Sequence, residues 1–347
     1  MDINNLVRDN IKRLVPYSSA RHEFVGEASV YLDANENSIG SPLEEPFNRY
    51  PDPLQWPLKF QLTKVKGVPA ENIFIGNGSD EVIDLLYRIF CNPGKDNVII
   101  CPPAYGMYEV SANINDVEVR KARLTDDFQL DLESIMNLTD AQTKLLFICS
   151  PNNPTGNSMN RGDVEWLLNN FPGLVVVDEA YINFAKQKTF IQELTEYPNL
   201  VVMQTLSKAW GLAALRLGIA FASEEMIGLF NKVKPPYNVN KASQELGVEA
   251  LQNTALVNNW IKETVNEREE LATALQAFPF VEKVYASDAN FLLVKVKDAN
   301  GVYQYLSDKG IVVRNRSKDP LCDNCLRITV GTKAENIKLL EVLGQMG

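Results

Sequence analysis

The sequence predicts an α/β fold, a mostly parallel central sheet with helices on both faces, joined to a smaller α+β domain. Three observations predict it. Short β-branched runs alternate with helical patterns from about residue 60. Those runs are continuously apolar rather than alternating, as strands covered on both faces are. After Ala277 the rhythm changes to a compact set of short strands and helices. At roughly 150 residues per domain, a chain of 347 residues suggests two domains. The expected division is a large domain over 46–265, with 1–45 and 266–347 forming the small one.

In chain order, Val7, Ile11 and Leu14 fall at helical spacing and Pro16 ends that helix. The Pro-rich stretch from Pro42 to Pro57 reads as an extended linker. FIGNGSDEVIDLL, residues 74–86, reads as strand, Gly-rich turn and helix, with Val82, Leu85, Leu86 and Ile89 making one stripe over Ser79–Phe90. Buried strands are expected at Val98–Ile100, Lys144–Cys149, Leu174–Val177, Leu200–Met203 and Gly218–Phe221. A long helical region follows over Lys241–Ala277, with a break or bend. The remainder reads as a strand at Phe291–Val296, a helix at Gly301–Lys309 ended by Gly310, strands at Ile311–Arg314 and Leu326–Val330, and a final helix at Thr332–Leu343.

Composition excludes several functions. With 34 Lys+Arg against 44 Asp+Glu the net charge is 34 − 44 = −10, which repels phosphate backbones and disfavours nucleic acid as a partner. A single histidine, His22, removes multi-His metal sites and a Ser-His-Asp triad. Cys91, Cys101, Cys149, Cys322 and Cys325 are odd in number, which fits a reduced cytoplasmic protein. MDINNLVRDNIKRLV lacks the apolar core of a signal peptide, and no run approaches the roughly 18 apolar residues of a membrane span. Cys322 and Cys325 have metal-like spacing without a second pair, so a turn or redox role is expected there and no metal. Trp56, Trp166, Trp210 and Trp260 read as packing residues.

Four strand-end loops carry the chemistry. LSKAWGLAALRLG, residues 206–218, places Lys208 at the carboxyl edge of the sheet with Arg216 eight positions on; ligands of open α/β folds bind at that edge. An isolated Ser-Lys pair would be an ordinary surface feature. In VVVDEAYINF, residues 175–184, Asp178 ends a buried strand and needs a partner, which a ligand, a core arginine or a helix N-terminus could provide. CSPNNPTGN, residues 149–157, presents Asn152 and Asn153 from a turn stiffened by Pro151 and Pro154; alone it is simply a turn. Gly76 and Gly78 let the backbone approach an anion, and Ser79 and Asp80 open a helix whose free N–H groups bind phosphate. Glu81 occupies the last position of G-x-G-x-x-G, against a dinucleotide site. PPAYGMY, residues 102–108, offers Tyr105 to stack on a flat ligand. An acid for a pyridinium nitrogen, a lysine for an aldehyde and a helix N-terminus for a phosphate describe a pyridoxal 5'-phosphate site.

In order and spacing these blocks resemble the fold-type-I pyridoxal phosphate-dependent aminotransferases over nearly the whole chain. LVPYSSAR (14–21), LDANENSIG (32–40), RYPDP (49–53) and CLRITVGT (325–332) are similar to histidinol-phosphate aminotransferases. Ser38 departs from the Pro common after that N-E-N triplet, and Ala214 from a Gly common before the hydrophobic-Arg pair; neither carries a chemical role. The resemblance implies that Lys208 joins the cofactor aldehyde as an imine and later moves the substrate Cα proton, while Asp178 keeps the ring nitrogen protonated. It implies that Asn153 and Tyr181 bond the phenolic oxygen, that Tyr105 stacks on the ring, and that Ser79, Asp80, Ser207 and Arg216 bind the phosphate with Thr205 as a minor helper. It places Tyr50 in a neighbouring subunit's site, implying a homodimer, and gives Tyr17 and Arg314 to the substrate phosphate and Arg327 to the carboxylate of glutamate or 2-oxoglutarate.

The implied reaction is transamination between L-histidinol phosphate and 2-oxoglutarate, giving imidazole-acetol phosphate and glutamate in histidine biosynthesis. An aromatic amino acid aminotransferase, with apolar pocket walls, and a phosphothreonine-type decarboxylase, which releases carbon dioxide without a keto acceptor, are the alternatives. A cofactor-sensing regulator needs a DNA-binding domain, for which this chain has neither spare length nor positive charge.

Overall fold

The computed structural model describes residues 3–17 and 29–346; His22 and the end of the first sequence block, residues 18–21, lie outside the described residues. Seven strands form the large sheet: Ile73–Asn77 (β1), Asn97–Ile100 (β2), Glu118–Lys121 (β3), Thr143–Cys149 (β4), Leu174–Asp178 (β5), Leu200–Thr205 (β6) and Leu217–Phe221 (β7). Their order is β1-β7-β6-β5-β4-β2-β3. Strands β2 to β6 run parallel, while β7 is antiparallel to both β6 and β1. The chain leaves β2 toward β3 on one side and returns as β4 on the other. That reversal opens a crevice beyond the carboxyl ends of β2 and β4, where ligands of such sheets bind.

Continuous apolar runs produce this sheet because successive side chains point to opposite faces and both faces are covered. Ile99, Leu146, Ile148, Val175 and Val177 face one core, and Val98, Ile100, Leu145, Phe147 and Val176 the other. The helix Ser79–Phe90 lies on the second face with Val82, Leu85, Leu86 and Ile89 buried, as the stripe requires.

The smaller sheet is antiparallel, in the order β10-β11-β9-β8, from Val281–Val284 (β8), Phe291–Val296 (β9), Arg314–Asn315 (β10) and Cys325–Thr329 (β11). Its core is Leu292, Val294, Leu326 and Ile328 packed against Val302 and Leu306 of the helix Ala299–Asp308 and Leu339 and Leu343 of the helix Lys333–Gly344. Thr332 and Glu335 close a capping box at the start of that last helix.

Several expectations shift. Pro57 belongs not to a linker but to the first turn of the helix Trp56–Lys66, where its missing N–H costs nothing; Asp52 Oδ2 accepts the Trp56 N–H at 2.7 Å instead. The long helical region is two helices, Lys241–Leu251 and Thr254–Gln276. Of Ile311–Arg314 only Arg314 is strand, continuing to Asn315, because pairing to β11 starts there. Ile3, Val7 and Ile11 pack among Val82, Ile83 and Phe90, and Arg8 Nη1 donates to Arg88 O at 2.8 Å. Residues 3–13 thus sit on the large sheet's helices rather than with the small sheet, because their apolar stripe is buried there. The helix Thr254–Gln276 runs unbroken across 265/266, with Val257 in the large core and Leu271 and Leu275 in the small one.

Candidate active site

At the end of β1, Gly78 has φ +80° and donates its N–H to Arg216 O at 2.6 Å. The Glu81 carboxylate turns back to accept the Asn77 N–H and the Asn238 amide at 2.9 Å. The acid that departs from the dinucleotide pattern therefore pins the turn. Gly218 lies opposite Gly76 in the β1–β7 ladder, and a Cβ there would stand 2.1 Å from Ser79 N. Only glycine lets the N-terminus of the helix Ser79–Phe90 sit against β7 with its free N–H groups at the crevice. Arg216 follows the turn between β6 and β7, and its Nη2 lies 3.3 Å from Asp80 Oδ2. Tyr105 donates its hydroxyl to Asp80 Oδ1 at 3.0 Å.

Asp178 ends β5 at 4% exposure. It accepts the Tyr108 hydroxyl at 2.6 Å and the Ala180 N–H at 3.1 Å. Among the described residues no cation forms an ion pair with it, so neither a core arginine nor a helix cap explains it. Burial raises its pKa, and the Tyr108 and Ala180 donors oppose that rise. Lys208 follows β6; its Nζ lies 5.6 Å from the centroid of the Tyr181 ring. Its pKa is lowered, first by burial and then by Arg327, against the pull of Asp178. The turn before it is held by Thr205 Oγ1, which accepts the Ser207 N–H at 3.1 Å.

After β4 the two asparagines divide their work. Asn152 is fully buried and donates to Pro103 O and Thr155 Oγ1, a structural role. Asn153 Oδ1 accepts from Arg327 Nη1 at 2.5 Å, joining the large sheet's loop to β11.

These groups line one cavity of about 580 Å³: Ser79, Asp80, Tyr105, Asn153, Asp178, Tyr181, Thr205, Ser207, Lys208, Arg216, Arg314 and Arg327. Tyr17 and Tyr50 do not line it. Tyr17 is 76% exposed, and Tyr50 stacks on Tyr237 at 4.5 Å in a separate cleft. Sequence reasoning missed Tyr108, Cys149, Arg316 and Asp319. Tyr108 stands one helical turn after Tyr105, a spacing that could have flagged it. A larger groove of about 1110 Å³ runs beside Trp260, Glu263, Glu267 and Glu270 in the small unit and holds none of the candidate site residues. Cys322 and Cys325 are buried free thiols in a tight turn, Cys325 N–H to Cys322 O at 2.9 Å.

The donor set fits pyridoxal 5'-phosphate. A buried carboxylate without a cation suits a protonated ring nitrogen, an amine of lowered pKa suits an aldehyde, and a helix start beside Arg216 suits a phosphate.

The family model described as aminotransferase class I and II matches residues 40–343. A histidinol-phosphate aminotransferase of Parabacteroides distasonis is 54% identical over 345 residues, covering 99% of each chain. The crystal structure of histidinol-phosphate aminotransferase from Sinorhizobium meliloti in complex with pyridoxal-5'-phosphate superposes with TM-score 0.80 at 23% identity, covering 90% of each chain. The L-threonine-O-3-phosphate decarboxylase of Porphyromonas gingivalis superposes with TM-score 0.74 at 23% identity, covering 86% of this chain and 91% of that one. Fold likeness thus extends to both reaction classes at equal identity, and the relative at 54% identity is a histidinol-phosphate aminotransferase. The chain belongs to the class I and II aminotransferases and, within that fold-type-I group, to the histidinol-phosphate aminotransferases.

Proposed function

We propose that this enzyme exchanges amino and keto groups between L-histidinol phosphate and 2-oxoglutarate, giving imidazole-acetol phosphate and glutamate, as a step of histidine biosynthesis. The observation that carries the reading is full-length identity of 54% to a histidinol-phosphate aminotransferase. The convergence of Lys208, Asp178, Arg216 and Arg327 on one cavity supports it.

Pyridoxal 5'-phosphate supplies an electrophilic carbonyl and a ring that takes up the electrons of the breaking Cα–H bond. In its ionised form Asp178 would pair with a protonated ring nitrogen, and low dielectric around it would strengthen that pairing. The lowered pKa of Lys208 enlarges its neutral fraction, so its Nζ would hold the cofactor at its carbonyl and would carry the Cα proton as base and then acid. The Ser79 and Asp80 N–H groups, the Ser207 hydroxyl and the Arg216 guanidinium hold the cofactor phosphate, with Thr205 fixing the turn. Tyr105 would hold the cofactor by stacking and Asn153 and Tyr181 by hydrogen bonds, all three lining the cavity. Arg327 would bind the carboxylate of glutamate and Arg314 the phosphate of histidinol phosphate; Tyr17, exposed and outside this cavity, has no such role within its own chain. Tyr50, outside the cavity of its own chain, would help hold the cofactor phosphate of a second copy, which would make the working unit a homodimer. The five buried free thiols are in keeping with a cytoplasmic setting.

The test is spectroscopic. Histidinol phosphate should bleach the visible absorbance of the holoenzyme and 2-oxoglutarate should restore it. A bleach with phenylalanine but none with histidinol phosphate overturns the substrate assignment, and carbon dioxide release without a keto acid overturns the reaction class. Borohydride followed by peptide mapping should label Lys208; a label elsewhere overturns the amine assignment.

A further inference from the structure

The β10–β11 ladder sets Arg314 directly opposite Arg327. Like charges directly opposed across two strands destabilise the pair. Arg316, two residues further, lines the same cavity. Three guanidinium groups therefore share one wall, and among the described residues Asp319 makes the only ion pair to any of them, its Oδ2 lying 2.6 Å from Arg316 Nε. The backbone builds that contact deliberately. Arg316 donates its N–H to Cys325 O at 2.9 Å, and Asp319 donates to Arg316 O at 2.9 Å, closing a turn that returns the carboxylate to the guanidinium. Both side chains are three-quarters buried or nearly so, at 21% and 28% exposure. Asp319 Oδ2 sits at the Nε edge as an ion-pair partner without the alignment of a hydrogen bond, and neither Nη group has a protein partner among the described residues. Arg327 carries the repulsion: its pKa is lowered by burial and by both Arg316 and Arg314.

Such a wall is balanced by an anion bearing more than one charge. We propose that Arg316, oriented by Asp319, is a specificity-determining residue that presents its Nη groups to the substrate phosphate beside Arg314, selecting a phosphate dianion over a carboxylate or an uncharged end. Arg327, already bonded to Asn153, is left to the α-carboxylate of glutamate. The fork of a guanidinium suits phosphate geometry, and fixing its Nε edge lowers the entropy lost when its Nη edge binds. This inference rests on the reaction proposed above.

The experiment compares wild-type, Arg316→Gln, Arg316→Lys and Asp319→Asn holoenzymes. For Arg316→Gln, KM for histidinol phosphate should rise about 10- to 100-fold, the range of a lost hydrogen bond to a charged group, with kcat lowered far less. KM for 2-oxoglutarate should move by less than about threefold. Arg316→Lys should recover part of the loss, and Asp319→Asn should show a weaker version of it. Inorganic phosphate titrated calorimetrically into the holoenzymes should bind the glutamine variant about 10-fold or more weakly. Equal losses for both substrates, or an unaltered KM for histidinol phosphate, overturn the assignment. If the wild-type enzyme does not turn over histidinol phosphate, the reaction fails instead; phosphate affinity still decides on Arg316, and its insensitivity to the substitution overturns the site.

Discussion

The hydroxyl of Tyr108 donates to Asp178 Oδ2 at 2.6 Å; both residues are buried, and of the two Asp178 lines the cavity. The Tyr108 ring stacks on Phe147 of β4 at 4.8 Å, so the donor is fixed by packing. Burial pushes the Asp178 pKa up, which works against its pairing with a protonated ring nitrogen. The tyrosine opposes that cost by bonding the ionised form.

Replacing Tyr108 by Phe removes this donor and leaves the ring packing. The Asp178 pKa, already raised, should climb further because the group that lowers it is gone. A bond to a charged group is worth about 1.5–3 kcal/mol. The acid limb of the kcat/KM profile should shift to higher pH; a profile that only scales down in height would show that Tyr108 acts through packing alone.

Gly218→Ala should fail where Gly228→Ala succeeds. A Cβ on Gly218 would lie 2.1 Å from Ser79 N and 2.2 Å from Gly78 C, both backbone atoms that cannot give way. The loss should reach about 3 kcal/mol or more, lowering Tm on the order of 5–10 °C and weakening the phosphate cradle. Gly228 lies inside the helix Glu224–Val233, and a Cβ there meets nothing within 4 Å. There the gain in helix propensity, up to about 1 kcal/mol, should hold or raise Tm.

Glu179 is buried beside Asp178 and accepts from Phe190 N at 2.7 Å and Gln204 Nε2 at 2.9 Å. Gln204 is also bonded by Lys66 Nζ at 2.7 Å, so the cluster ties the end of β5 to β6 and to the helix Trp56–Lys66. Burial pushes the Glu179 pKa up from 4.5 to about 7. Between those values the folded chain holds a proton that the unfolded chain has released. Stability therefore falls as pH rises from about 4.5 to about 7 and levels off above, by about 3 kcal/mol in order of magnitude. Urea unfolding of Glu179→Gln should lack that slope; an identical slope in both proteins would exonerate Glu179.

How much of this was legible depended on how local the signal was. β5 and β6 were readable as continuous valine-rich runs, and Asp178 and Lys208 as polar groups at their ends. The helix Ser79–Phe90 announced itself by stripe and glycine turn. Pro57 misled because proline marks both linkers and helix first turns, and only the Asp52 contact decides between them. Residues 3–13 misled because an apolar stripe does not say which core it enters. Tyr108 and the Arg316–Asp319 pair were hidden for a related reason. Their roles come from contacts that the chain makes after folding, across 70 residues in one case and around a single turn in the other.

Tyr50 supplies the sharpest test of assembly. Its side chain is half-exposed against Tyr237, outside the cavity of its own chain. In the proposed homodimer it completes the site of the second copy. Tyr50→Ala and Lys208→Ala chains, each inactive or nearly so, should then complement when unfolded together and refolded as a mixture. In a hybrid dimer one site takes its lysine from the Tyr50→Ala chain and its tyrosine from the Lys208→Ala chain, and is intact; the other site carries both defects. Random pairing makes about half the dimers hybrid with one good site in two, so activity should return to roughly a quarter of wild type. If Tyr50 served its own chain, every hybrid site would carry one defect and mixing would restore nothing.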